Sequence, residues 1–541
     1  MGSRLRAFLA RYWPSLLAAA ATLGYAIAIL GFGLDFRPLH NDEGVTLAVA
    51  SEHSAADVLR TAIEVRHGPP LHYLLVHASL AWRDDILGLR LPSAVLGILA
   101  VPLSYAAGRE LLGRAGGAVV SVIVATSPIV VHLGQFARGY TAMIAFSFAS
   151  LWILLVLIRT RRGWLVPAYA VAALLLVASH PFGLFALASE LVLLAVLTLA
   201  RDPGRWRAEP RRLIVPGATL AVGLTAFLAL RQAYAPLQGK YQVGQGGPVV
   251  HLGSSAFWTR LGEHVSGTKI PAYELLLAAA VVVGVIVLAL TNRRAAVVAA
   301  VWIVLPVLLL SVLTASSPDF APERHLSFLI PGYSVALAGL VVEVARRLPR
   351  GWAIGWVAVA GVLIVPGVWA DRNDLGNFDS SLRNASLALA SQFTAHDVLL
   401  TTAGLADPGE DARLYGAYAA LEAPNDSPLA HWRRTARSSG CPLVFQAQQV
   451  ARPQSVWMLA RPADPQALAA GLERHGARAM VYGSYVIAQA KVPRQTPRNA
   501  LYVGNRMWKA AVSAEPAVHD FHRMVELYRQ AWHYDRGGVC R

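Results

Sequence analysis

The chain has 541 residues, of which 55% are hydrophobic and 15% charged, with a formal net charge of +16. A soluble globular chain carries roughly 25% charged residues, so a mean hydropathy of +0.46 excludes an ordinary soluble domain. No nucleic acid is implied by the basic excess, because most arginines sit in short loops between apolar runs, the positive-inside pattern of a membrane protein.

In chain order, Arg4, Arg6 and Arg11 precede an apolar run over 13–34. That run exceeds the roughly 7–15 residues of a signal-peptide core, so it reads as a retained first span with a cytoplasmic N-terminus. Further apolar segments fall near 69–82, 90–108, 116–133, 140–158, 164–179, 182–200, 213–231, 273–291, 295–315, 326–345 and 352–370. Loops holding Arg109/Arg114, Arg159/Arg161/Arg162, Arg201/Arg205/Arg207/Arg211/Arg212, Arg293/Arg294 and Arg346/Arg347/Arg350 lie between them. All of these share the cytoplasm with the N-terminus only if one segment before Arg109 does not cross. Segment 69–82 is that segment: it is shorter than the ~17 residues a span needs, opens on Gly68-Pro69-Pro70, and carries His72 and His77. It reads as a helix in the outer interface, with a short tilted span as the alternative.

The expectation is an all-α polytopic domain over 1–370 with about eleven transmembrane helices, in the cell (plasma) membrane. A small α/β domain over 371–541 follows outside the cytoplasm. Its strand-like runs include Asp397-Val398-Leu399-Leu400 and Ala479-Met480-Val481-Tyr482, alternating with helical Ala/Leu/Arg stretches. The only cysteines, Cys441 and Cys540, lie in this part; they either pair in an oxidising compartment or stay apart. The outer side also receives 35–89, the 132–139 turn, the His180 corner, 232–272 and 316–325.

Five places on that side hold residues that could carry chemistry. Asp42-Glu43 follows the first span; one carboxylate could act as a general base, or the pair simply starts a helix. His67 sits at a Gly-Pro-Pro corner, to bond a phosphate, ligate a cation or fill an interface. In Gly134-Gln135-Phe136-Ala137-Arg138-Gly139-Tyr140, an outer arginine suits phosphate oxygens or snorkels to headgroups; His180-Pro181 forms the next corner. Arg324 and His325 enter a span from outside, where an anion would be welcome unless Glu323 neutralises Arg324. Lys240 lies in the polar 232–272 loop. No GxxxxGK[ST] or GxGxxG loop occurs, so a soluble nucleotide is not the expected donor.

The ordered set of Asp42-Glu43, HGPPLHYLLVH, LRLPSAVLGILAVPLSYAAGRELLGRAGG, SPIVVHLGQFARGYTAM, SHPFGLF and PERHLSFLIPGYSVALAGL resembles bacterial members of the protein-mannosyltransferase type. These are GT-C fold glycosyltransferases of family 39, a group that includes the aminoarabinose transferases of lipid A. The resemblance covers about residues 1–350. It implies a polyprenyl-phosphate sugar donor and a lipid, glycan or protein acceptor, with Asp42 deprotonating the acceptor hydroxyl. It also implies that Glu43 supports the acceptor or a divalent cation (Mg or Mn), that Arg138, Arg324 and His67 hold the donor phosphate, and that the sugar inverts. Gln135, Tyr140, His180, His325 and Lys240 are then candidates for lining the substrates. The chain departs from its relatives at Phe136, where many carry an acidic residue, and at His325, where tyrosine is common. A transporter or lipid flippase is the alternative, although such proteins tend to show internal repeats and mid-depth ionisable residues; a non-catalytic scaffold leaves the charged set unexplained.

Overall fold

The computed structural model describes residues 20–31, 34, 41–65, 68–199, 271–316, 327–349, 381–402, 450–460 and 464–514, with isolated positions at 218, 221, 225, 255, 258, 259, 262, 428 and 462. The chain divides into two compact units. The first comprises Met1–Leu34, Ala62–His72 and Arg90–Gly376, and the second Asp35–Thr61, Tyr73–Leu89 and Asn377–Arg541.

Apolar helices build the first unit. They are α1 (Ala20–Gly31), most of α5 (Ile86–Ala125), α6 (Pro128–Gly134), α7 (Tyr140–Thr160), α8 (Leu165–Ser179), α9 (Gly183–Leu199), α10 (Pro271–Thr291), α11 (Arg293–Ser316) and α12 (Ile330–Arg347). Among the described residues, four helices are long and apolar enough to cross a bilayer, and α1, α8 and α9 are shorter apolar helices. Their outward faces are apolar as well: on α10, Leu275, Val282, Ile286 and Leu290 are all exposed. A contiguous stripe of that kind is suited to lipid rather than water. The expected segment at 352–370 lies outside the described residues, and of 213–231 only positions 218, 221 and 225 are described.

A straight 40-residue α5 would run about 60 Å, twice the ~30 Å hydrocarbon thickness. It does not run straight. Gly113 adopts φ 77, ψ −174, a conformation open essentially to glycine alone, and the chain folds back there. A Cβ on Gly117 would lie 2.7 Å from the Tyr105 carbonyl oxygen, so the two arms touch closely. The arginine pair Arg109/Arg114 thus brackets a tight reversal, as the charge pattern anticipates. The expected single segment 116–133, however, is interrupted. Ser127 is extended, at φ −69 and ψ 120, before Pro128, because a residue preceding proline is pushed out of the helical region; helix resumes as α6.

The bundle closes through α7 against α8 and α9, α9 against α11, and α12 against α10, α11 and α7. Small residues permit the closest approaches: a Cβ on Gly284 of α10 would sit 2.3 Å from the Ala336 carbonyl oxygen of α12, the packing mode expected where lipid gives no hydrophobic drive between helices. Inside the α7–α9 group the fully buried Glu190 accepts a hydrogen bond from Ser150 Oγ at 2.5 Å, and Tyr169 stands beside it.

The second unit holds α2 (Asn41–Ala50), α3 (Ala55–Arg60) and most of α4 (Leu71–Trp82). His77 Nδ1 donates to the Ala50 carbonyl oxygen at 2.9 Å, closing the end of α2, and α4 is the helix expected over 69–82. This unit also holds α13 (Ser381–Gln392), β1 (Asp397–Thr402), β2 (Ser455–Ala460), α14 (Pro465–Arg474), β3 (Arg478–Tyr482), β4 (Tyr485–Lys491) and α15 (Pro497–Ala514). The strands form one sheet of order β1-β2-β4-β3, with β1 parallel to β2 and the other pairs antiparallel. Val398, Val456, Met458, Val486 and Ala488 meet Leu468 and Leu472 of α14 and Val503, Met507 and Ala511 of α15 in one core. The two strand-like runs named from the sequence are β1 and β3. Cys441 and Cys540 lie outside the described residues.

Candidate functional site

The Gly134–Tyr140 turn joins α6 to α7 in the first unit, and three neighbours fix it. Gln135 Nε2 donates to the Ile29 carbonyl oxygen of α1 at 2.9 Å, so this buried amide is partly committed to the scaffold. Ser93 of α5 clamps both sides of the bend: its hydroxyl donates to the Arg138 carbonyl oxygen at 3.3 Å, and its own carbonyl accepts from Thr141 Oγ1 at 2.9 Å. Gly139 meets the corner after α8, where an added Cβ would lie 2.1 Å from the Ser179 carbonyl oxygen. The result is a half-buried Arg138 on a bend whose backbone cannot easily shift.

The Gly139 contact carries a prediction. Gly139→Ala must displace one backbone segment against another, at a cost of about 1–3 kcal/mol. A purified Gly139→Ala protein is therefore expected to melt several degrees below the parent in thermal-shift measurements; an unchanged melting temperature would show that the two corners are not locked together.

Rings connect this bend to the other corners at the same end of the bundle. Tyr140 lies 4.7 Å from His180 between ring centroids, and His180 lies 5.4 Å from Phe182. Phe182 is in turn 5.9 Å from Phe328, just before α12. On the other side, Phe136 stacks with Tyr140 at 6.5 Å and with His132 at 6.1 Å. Trp302 Nε1 of α11 donates to the Phe328 carbonyl oxygen at 2.7 Å, and Ser127 and Tyr333 share a hydrogen bond of 3.1 Å. The structure therefore brings Gln135, Arg138, Tyr140 and His180 together, and aromatic contacts lead from them to Phe328. Phe136, the departure from an acidic residue, is one of the packed rings.

In the second unit, Asp42 and Glu43 occupy the first turn of α2, where carboxylates complement the helix dipole. Glu43 is buried, as are Thr46 and Leu47; of Asp42 only the backbone is described. His67, Lys240, Arg324 and His325 lie outside the described residues.

Sequence reasoning assigns no role to Arg90. Its guanidinium is fully buried at the start of α5, and Nη1 donates to the Leu34 carbonyl oxygen at 2.8 Å. The one signal for it is an arginine inside an apolar run, two residues before Pro92. Ser93 is missed as well, for want of any local pattern, and so is Glu190, marked only as an acidic residue inside an apolar run. Among the described residues no three His, Cys, Asp or Glu side chains gather as a metal site. The described residues thus do not build a divalent-cation site.

Residues 67–226 match the family model of dolichyl-phosphate-mannose-protein mannosyltransferases, a stretch that contains the Arg138 bend and the His180 corner. No curated protein matches the sequence. Among solved structures the chain is similar to ArnT from Cupriavidus metallidurans. Against the apo state the identity is 16% and the TM-score 0.53, over 89% of this chain and 98% of that one. Against ArnT bound to undecaprenyl phosphate the identity is again 16% and the TM-score 0.51, over 88% and 98%. At such identity the likeness establishes the fold, which is GT-C.

Proposed function

We propose that this chain, a multi-pass protein of GT-C fold related through residues 67–226 to the protein mannosyltransferases, is a membrane glycosyltransferase. It moves a sugar from a polyprenyl-phosphate donor to an acceptor hydroxyl at the outer membrane face, with inversion. The observation that carries this reading is the family match across the locked Arg138 bend. It is supported by a fold shared with a protein solved in complex with undecaprenyl phosphate. No observation favours transport.

In the proposed reaction Asp42 takes the proton of the acceptor hydroxyl. The acceptor oxygen bonds to the anomeric carbon as the carbon–oxygen bond to phosphate breaks, and the electron pair leaves with polyprenyl phosphate. Phosphate is a good leaving group, so the largest contribution is electrostatic stabilisation of its growing charge. Arg138, Arg324 and His67 are assigned to that task. Tyr140, His180, His325 and Lys240 line the substrates, while Gln135 mainly secures the bend. Glu43 supports the acceptor, and no step is routed through a cation. Eleven spans, a cytoplasmic N-terminus and an extracytoplasmic 371–541 domain complete the proposal; the sugar is a hexose or a pentose.

Lipid extracted from the purified protein tests the donor class directly. Mass spectrometry is expected to reveal a co-purifying polyprenyl phosphate or its sugar conjugate, whose mass names the sugar. Transport of a lipid or solute in proteoliposomes with no sugar transfer from any polyprenyl-phosphate sugar would replace the proposal.

A further inference from the structure

The C-terminal sheet module carries a surface that the transfer reaction does not use. From Arg474 to Ala514 the sequence contains seven Lys or Arg residues and no Asp or Glu. All seven are exposed: Arg474, Arg478, Lys491, Arg494, Arg498, Arg506 and Lys509. None is in an ion pair among the described residues. On α15, Arg498, Tyr502, Arg506 and Lys509 recur at intervals of four, four and three, which places them on one helix face. The opposite face buries Ala500, Val503, Met507, Ala510 and Ala511 in the module's core. Arg506 Nη2 also donates to the His475 carbonyl oxygen at 3.2 Å, joining the Arg474–Arg478 stretch to α15. The α15 cations are therefore gathered on one face rather than scattered, around a tyrosine that is 62% exposed.

Cations that share one helix face repel one another and call for an anionic partner. The positive-inside bias does not account for them, since it acts through short loops and long domains escape it. The chain carries its own apolar helices, which keep a bilayer surface at high effective concentration. Anionic headgroups attract basic segments, and tyrosine favours the membrane–water interface. We propose that the α15 face docks on the anionic phospholipid headgroups of the membrane that holds this chain. Docking does not depend on the assignment of a sugar-transfer activity.

The test uses the full chain with Cys441→Ser and Cys540→Ser, fluorescently labelled through Gln495→Cys, an exposed position that leaves the α15 face intact, in nanodiscs containing a surface nitroxide lipid. Quenching is expected to be severalfold greater in discs with about 30% phosphatidylglycerol than in phosphatidylcholine discs. The excess should vanish near about 0.5 M NaCl, where screening shortens the field to a few ångströms. Each cation near an anionic surface contributes about fivefold in partitioning, so Arg498→Gln, Arg506→Gln and Lys509→Gln together lower docking on the order of a hundredfold. Equal quenching in the two disc types, or an excess that salt leaves intact, would overturn the proposal, and this arm needs no charge variant to fold. Shielding of the label by a soluble acidic polysaccharide, without any response to phosphatidylglycerol, would assign the face to a different partner and also overturn it.

Discussion

Replacing Asp42 by asparagine is expected to lower the initial rate of sugar transfer by about 10²- to 10⁴-fold, the usual contribution of a positioned general base. The amide has nearly the shape of the carboxylate but cannot accept the acceptor's proton. The competing explanation is that Asp42 merely starts α2 at the helix's positive end. In that case the loss is only about 0.3–1 kcal/mol of helix stability, and transfer survives. Initial rates with a defined polyprenyl-phosphate sugar, read beside the melting temperature, separate the two: a rate collapse at unchanged melting supports the base. Glu43→Gln is the informative companion. Glu43 is buried in α2, so its replacement is expected to disturb melting more than Asp42→Asn does.

Much of the membrane architecture is legible in the sequence because lipid imposes a simple grammar. Apolar runs bounded by arginines or by the His180-Pro181 corner mark α7 to α12 to within a few residues, and Arg109/Arg114 mark the reversal at Gly113. The break before α6 escapes the same grammar, although Pro128 is its local cause; uniform hydropathy over 116–133 hides a backbone event. In the C-terminal module β1 and β3 announce themselves as short apolar runs, and the chemistry of β2 and β4 is of the same kind.

The site divides along a different line. Residues close in sequence, such as Gln135, Arg138 and Tyr140, group on spacing alone, because one turn holds them. What fixes the turn does not group in this way. Ser93 lies 45 residues from Arg138 and Ile29 lies 106 from Gln135, and a serine or a backbone carbonyl carries no pattern. Glu190 is the same lesson in reverse. An acidic residue in an apolar run reads as an anomaly until Ser150, 40 residues away, supplies its hydrogen bond. Long-range polar satisfaction is decided by packing, and packing is what a one-dimensional hydropathy pattern leaves out.

Arg138 offers the sharpest discrimination at the bend. If its guanidinium holds the donor phosphate, the planar fork matters and not only the charge. Arg138→Lys keeps the charge and loses one of the paired hydrogen bonds, so kcat/KM for the donor is expected to fall about 10- to 100-fold. Arg138→Gln removes the charge opposite the leaving group, and the expected loss grows to about 10²- to 10³-fold, mainly in kcat. An arginine that only snorkels to headgroups behaves otherwise, since lysine snorkels equally well and the lysine variant would keep the parental rate. The bend itself is held by Ser93, Ile29 and Ser179 through contacts that involve no atom of the Arg138 side chain. Melting temperatures of both variants are read beside the rates, and a rate lost at the parental melting temperature reports on the phosphate rather than on the fold.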